Sequence, residues 1–304
     1  LNLLTTNFIV FINIIMQINH KLSITLERNL IYLIILALLF LIYAPLIFHW
    51  YDGWLNKNIG IEHEYFSHGI IGIPFAIYIG WNNRKKWQRL PNQSHPLGAI
   101  LLIIGSIFYL TGVAEFVNLS LPIILTGLCL WLKGTAGFKL NSFALLLIAL
   151  ATPNSFPYLI TPFTLPLQKF IAGFAGFILI QLGMDVTVEQ IYLAVGGRLV
   201  EVAPYCAGLK MLFTSLYVGL MLLYWTGNIE NRQKTTLLLV GAAFISVSAN
   251  IIRNTILTFF HGTGRDQLFT WFHDSWGGDL YSALMLASVV LLLNFLDQLE
   301  SLKN

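Results

Sequence analysis

Charge is what this chain has least of. Asp, Glu, Lys and Arg make up 10% of its 304 residues, against about 25% in soluble domains. The deficit runs along the whole sequence, which excludes a soluble enzyme carried on one anchor. With 57% hydrophobic residues, it marks an integral membrane protein. Cysteine is nearly absent too: Cys129 and Cys206 are the only two, and no CxxC pair exists, which excludes a disulfide framework. The topology below puts them at opposite membrane faces, too far apart for a bridge. Basic and aromatic residues form no cluster outside the loops, so no nucleic-acid surface is expected. Internal repeats and domain linkers are lacking. No small-residue cleavage site follows the apolar residues 8–18, so a cleavable signal peptide is not expected. The chain opens on Leu1 and not Met, and we expect its natural start to differ. Residues 1–29 are set apart as an N-terminal segment, and 30–304 as one membrane-embedded domain.

What is present is a series of long apolar runs. A hydrocarbon core about 30 Å thick needs about 20 apolar residues per helix. Runs at 30–48, 68–81, 97–114, 119–132, 140–152, 208–225, 235–259 and 280–296 are expected to cross, so the fold class is an all-α polytopic membrane protein of about eight spans. Residues 159–182 fit less well, because Pro153, Pro157, Pro162 and Pro166 break the approach and Gln168, Lys169 and Gln181 interrupt the rest. An amphipathic or partly inserted helix is expected there. Residues 185–201 alternate polar and apolar around Gly196-Gly197, the pattern of a small extracytoplasmic hairpin. Lys and Arg concentrate on cytoplasmic loops. Lys21, Arg28, the Arg84–Arg89 cluster, Lys133, Lys139, Arg232, Lys234 and Lys303 are therefore assigned inside, with both termini.

This orientation gathers reactive groups outside. Cys206, in Glu201-Val-Ala-Pro-Tyr-Cys206-Ala-Gly-Leu-Lys210, stands at the outer end of run 208–225. Arg253 lies toward the outer end of 235–259, and an arginine in an apolar run is a functional candidate by default. His261 and His273 fall in the outer loop that follows, and His68 opens run 68–81 on the same face. Taken singly, each has an ordinary reading. A lone cysteine is usually a small buried hydrophobe, an arginine can snorkel to headgroups, and a histidine can be interfacial. Their shared face gives them interest.

Three blocks then carry a family resemblance: Val202-Ala-Pro-Tyr-Cys206-Ala-Gly208, Asn250-Ile-Ile-Arg253-Asn254 and Phe272-His273-Asp274-Ser-Trp-Gly277. With Phe66-Ser67-His68-Gly69, Pro74 and the basic loop 82–89, they resemble the exosortase/archaeosortase family from about residue 30 onward, and the cyanobacterial exosortases in particular. Ala207 departs from the serine that many members carry after the cysteine. The resemblance implies a cysteine transpeptidase of the cytoplasmic (inner) membrane, with its active site on the extracytoplasmic side. Its partners would be exported proteins ending in a Pro-Glu-Pro-like motif, a transmembrane helix and a basic tail. It implies Cys206 as nucleophile, Arg253 as oxyanion or thiolate stabiliser, His273 as general base and acid, and His68 as a substrate-binding residue. A thiol of pKa about 8.5 gains from such a base and cation. No cofactor or metal is expected, and the acceptor nucleophile stays open.

Two rivals are weighed against this. His63-Glu64-Tyr65-Phe66-Ser67-His68 nearly spells a zinc-protease helix, but that motif needs histidines four apart. Five residues turn a helix about 140° beyond a full revolution. A transporter or channel with Arg253 in its pathway would use broken helices such as 153–166. Against it, no inverted repeat appears and the polar groups sit at one face.

Overall fold

The computed structural model describes residues 30, 33–55, 65–203 and 208–302. Cys206 and the His63-Glu64 pair lie outside the described residues, as does the expected boundary after residue 29. The chain divides into two compact units, Leu1–Tyr51 and Asp52–Asn304. Helix α1 (Leu33–Leu55) is a 23-residue apolar helix that begins in the first unit.

The second unit is mostly helical: α2 (Gly69–Arg89), α3 (Pro96–Leu110), α4 (Ala114–Ala151), the short α5 (Phe156–Ile160), α6 (Leu165–Gln181), α7 (Leu209–Trp225), α8 (Arg232–Gly262), α9 (Asp266–Asp274) and α10 (Trp276–Ser301). Between α6 and α7 lie strands β1 (Val186–Glu189), β2 (Tyr192–Val195) and β3 (Arg198–Glu201). They form an antiparallel sheet in the order β1-β2-β3, with Val195 opposite Arg198. The expected hairpin is β2–β3. Gly196 and Gly197 at φ +57° and +77° make the two-residue turn that matches strand twist. The third strand was not anticipated.

Among the described residues, four helices are long and apolar enough to cross a membrane: α1, α4, α8 and α10. A fifth is added if Phe156–Phe163 and Leu165–Gln181, bent by 61°, form one broken span. On length and composition the expected eight are therefore not reached. Helices α3 and α7 are apolar but only 15 and 17 residues long. The expected spans 119–132 and 140–152 fall on the two arms of α4, which folds back at Gly134, so that one long element holds both. The bend before α6 agrees with the expectation that 159–182 is no plain span.

Helix α4 does not run straight. At 1.5 Å per residue its 38 residues would hold its ends about 55 Å apart. Yet Ser155 Oγ, just past its end, donates to Glu115 Oε2 in its first turn at 2.7 Å. The reversal is Gly134, at φ +60° and ψ −155°, a conformation open essentially to glycine alone. Beside it, buried Lys133 donates through Nζ to the Leu90 carbonyl and to Asn92 Oδ1, both at 2.7 Å. The lysine thus ties the turn of α4 to the α2–α3 connection instead of lying in an open loop. Ala76 and Ile79 of α2, Ala144 and Leu147 of α4 and Tyr217 of α7 pack around this hairpin.

A second core joins α7, α8 and α10 through Leu223, Leu238, Ala242, Val289 and Leu293. A third packs α6 on the sheet through Ile171, Ala172, Ala175, Leu193 and Val202, with Ile251 of α8 against it. Outward faces stay apolar: Ile100, Ile103 and Ile107 on α3, Leu237, Val240 and Phe244 on α8, and Leu284, Leu291 and Phe295 on α10 are all exposed. Such helical stripes suit hydrocarbon rather than water. Lys234 pairs with Asp297 and Glu300 at one end of this assembly. Arg253 stands 19 residues further along α8, a rise of about 28 Å, close to one hydrocarbon core.

The reversal gives a test. In Gly134→Ala, the new Cβ would lie 2.9 Å from the Gln93 carbonyl oxygen on a disallowed backbone, at a cost of about 1–3 kcal/mol. Gly173, inside α6 with open space around it, should stabilise when changed to Ala. Thermal unfolding in detergent should show opposite shifts, and equal shifts would refute the account of the α4 turn.

Candidate functional site

Helix α8 organises the end of the second unit where the sequence blocks meet. Its upper half carries a buried polar seam at intervals of four: Ser246, Asn250, Asn254 and Thr258. Four-residue spacing stacks side chains on one helix face. Asn254 Nδ2 closes back on the Asn250 carbonyl at 2.9 Å. Arg253 lies one turn above Asn250, half-buried, and its Nε is buried with no hydrogen-bond partner among the described residues.

Both flanks of the cysteine segment are anchored near this seam. On the near side, Val202 is fully buried, packs in the core that includes Ile251, and accepts a 2.8 Å hydrogen bond from buried Gln168 Nε2. On the far side, Gly208 begins α7 at φ +80°. Its missing side chain lets it press on Asn250, for a Cβ there would stand 2.6 Å from the Asn250 Cγ. Leu209, the next residue, packs with Tyr65 and Phe66. The α7 entrance is therefore clamped between α8 and the chain leading into α2.

His273 occupies the last turn of α9. Its ring stacks on Phe269, with centroids 5.3 Å apart and planes 6° from parallel. Helix α9 meets α10 at Gly277-Gly278. A Cβ on Gly278 would lie 3.8 Å from both Arg253 Nη2 and the His273 carbonyl oxygen, so the arginine and the end of α9 share one corner. Nearby, the Tyr281 hydroxyl of α10 donates to the Ala249 carbonyl of α8 at 2.6 Å. Arg253 and His273 are thus brought to one end of the bundle from separate elements.

His68 is placed differently from a residue open to substrate. Just before α2 it is 4% exposed, with Nε2 3.0 Å from the Leu150 carbonyl oxygen and its ring 4.4 Å from that of Tyr217. It joins α2, α4 and α7 at the site end. His261 lies in the last turn of α8, with its ring centroid 5.3 Å from that of Phe269. No group of three or more His, Cys, Asp or Glu residues suited to a metal occurs among the described residues.

Sequence reasoning passed over Asn250 except as part of a block, read Gln168 only as a break in an apolar run, and passed over Tyr281 and Asp266 altogether. The only available signal for Asn250 was its four-residue spacing to Asn254 within an apolar run.

Gly208→Ala should destabilise the protein by about 1–3 kcal/mol through its backbone alone, with the Asn250 contact added. Asn250→Ala in the same chain should relieve the contacts with Cγ and Nδ2, leaving the backbone cost and the Cβ contact at 2.9 Å. A double-mutant cycle read by thermal unfolding should therefore be non-additive, and strict additivity would mean that the two residues do not press on each other.

Comparison with known proteins bears on the same segments. The family model described as transmembrane exosortase (Exosortase_EpsH) matches residues 54–290, a range that holds Asn250, Arg253, Phe269, His273 and Gly278. Nothing matches among curated proteins or among solved structures. Since the match takes in well over half of the sequence and every element that builds this corner, the chain belongs to the transmembrane exosortase family.

Proposed function

We propose that the protein is a cysteine transpeptidase that cuts the C-terminal sorting signals of exported proteins and passes them to an acceptor. Cys206 is the nucleophile, Arg253 the charge stabiliser and His273 the general base and acid. The observation that carries the reading is the convergence of Arg253, the end of α9 and both flanks of the cysteine segment on the turn 250–254 of α8. The active site lies on the extracytoplasmic side of the cytoplasmic membrane. The orientation is supported by the basic residues Arg84 to Arg89, Lys133 and Lys234, all at the opposite end.

The chemistry balances with these groups. His273 takes the thiol proton, and the sulfur attacks the scissile carbonyl to give a tetrahedral oxyanion opposite Arg253, whose charge is permanent. Collapse breaks the C–N bond, His273 returns the proton to the leaving amine, and a thioester remains on Cys206. An acceptor amine or other nucleophile then attacks the thioester and frees the thiol. The substrate class is a membrane-anchored tail with a short Pro-Glu-Pro-like motif next to its transmembrane helix. His68 would act on this end by packing alone, against Tyr217 within α7 and the Leu150 carbonyl of α4.

A transporter with Arg253 in its pathway is the competing reading. Arg253 stands about one hydrocarbon thickness from Lys234, near a membrane face, whereas transporter sites lie near the midplane.

In cells expressing a reporter with such a tail, Cys206→Ala should abolish the size shift on cleavage. His273→Ala should slow it by about 10²–10⁴, and Arg253→Lys should fall well below wild type because a point charge replaces a planar fork. Unchanged cleavage in Cys206→Ala would overturn the mechanism and favour a non-enzymatic role.

A further inference from the structure

The β2–β3 hairpin reaches across to the corner where α8 gives way to α9. At its turn, Gly196 lies directly against the Gly262 carbonyl oxygen, and Val195 fills the space beside Gly262. Arg198, the first residue of β3, then extends its guanidinium over the corner. Its Nη1 is 2.6 Å from Asp266 Oδ1 and 3.3 Å from the His261 carbonyl oxygen. One cation thus caps the C-terminal end of α8 and pairs with the first-turn carboxylate of α9. Both placements agree with the helix dipoles.

That carboxylate shares a helix face with the general base. Asp266, Phe269 and His273 are related by steps of three and four residues, so their side chains lie along one side of α9. Phe269 stacks on His273 and also faces His261, which approaches Asp266 at 3.7 Å. A different face of α9 is held by buried Phe272, set edge-on to Phe260 and Tyr281. Beside it Trp271 packs on Gly277 and Trp276, so apolar contacts seat α9 on α10. The Arg198–Asp266 pair ties a further face of α9, the one that carries His273, to the hairpin.

We infer that Arg198 and Asp266 form a positioning pair for the transpeptidation reaction: the hairpin holds α9 in the rotation that aims His273. The inference rests on the proposed role of His273. The pair is half-exposed, with side-chain exposures of 41% and 61%, so water screens its attraction and its share of global stability is small. Its effect lies in geometry, where a misplacement of about 1 Å can lower a rate about 100-fold.

The test uses the full chain in lipid nanodiscs with a purified reporter bearing a Pro-Glu-Pro-like motif, a transmembrane helix and a basic tail. Arg198→Ala should lower kcat about tenfold, with KM within about twofold and the thermal midpoint nearly unchanged. Arg198→Asp combined with Asp266→Arg should recover most of the loss that either charge reversal causes alone. Wild-type kcat in Arg198→Ala, or loss of activity only in step with loss of folded protein and without recovery in the swapped pair, would overturn the positioning role. Cys206→Ala run beside them separates the two ideas. If it still cleaves, the transpeptidase reading fails and the pair's role falls with it. If it is inactive while Arg198→Ala is normal, only the positioning inference fails.

Discussion

The close approach of Gly208 to Asn250 is the contact on which the site end depends. It seats the entrance of α7 on α8 one turn below Arg253, and a side chain at Gly208 would hold the two helices apart. From that contact the neighbouring elements follow. Leu209 draws in Tyr65 and Phe66, and Tyr217, two turns along α7, donates to the Leu147 carbonyl of α4 at 2.9 Å and packs its ring, tilted, on His68. On the other side, Gln168 secures Val202 to α6. A polar seam turned toward hydrocarbon would be costly. Here the seam of α8 faces protein, and the outer faces of the same helix are left to Leu237, Val240 and Phe244.

The opposite end joins buried lysines to the close backbone approach of Gly134 and Gln93. Lys133 is withdrawn from solvent to satisfy Leu90 and Asn92 at the reversal of α4. Lys234 joins α8 to α10 through two carboxylates. These fastenings keep the lower ends of the helices in register, so the upper ends meet where Arg253 and the α9–α10 corner stand. The basic end and the Arg253 end are separated by about one hydrocarbon thickness, as the proposed action on a membrane-anchored tail requires.

Much of this was legible in the chain. The apolar runs announced a membrane protein because hydrocarbon demands long uncharged helices. Gly196-Gly197 announced the hairpin because few residues adopt two successive positive φ angles. The helical runs around α7, α8 and α10 also emerged close to their observed bounds. The extra strand β1 was hidden because its turn into β2, with Gln190 at φ +57°, carries no glycine, and the fastening of the α4 turn was hidden because the partners of Lys133, Leu90 and Asn92, lie some forty residues away. His68 likewise read as a surface residue in contact with substrate, since nothing local shows that Leu150 and Tyr217 enclose it.

The amino-acid order by itself determined the solvent, the class of fold and the identities of the reactive blocks, because hydropathy and residue chemistry are local properties. Only the tertiary structure decided that Arg253 and His273 share a corner, that Asn250 supports the start of α7, and that Arg198 spans the junction of α8 and α9. Those relations join residues from distant segments, and they arise from helix packing and from side chains long enough to cross between elements.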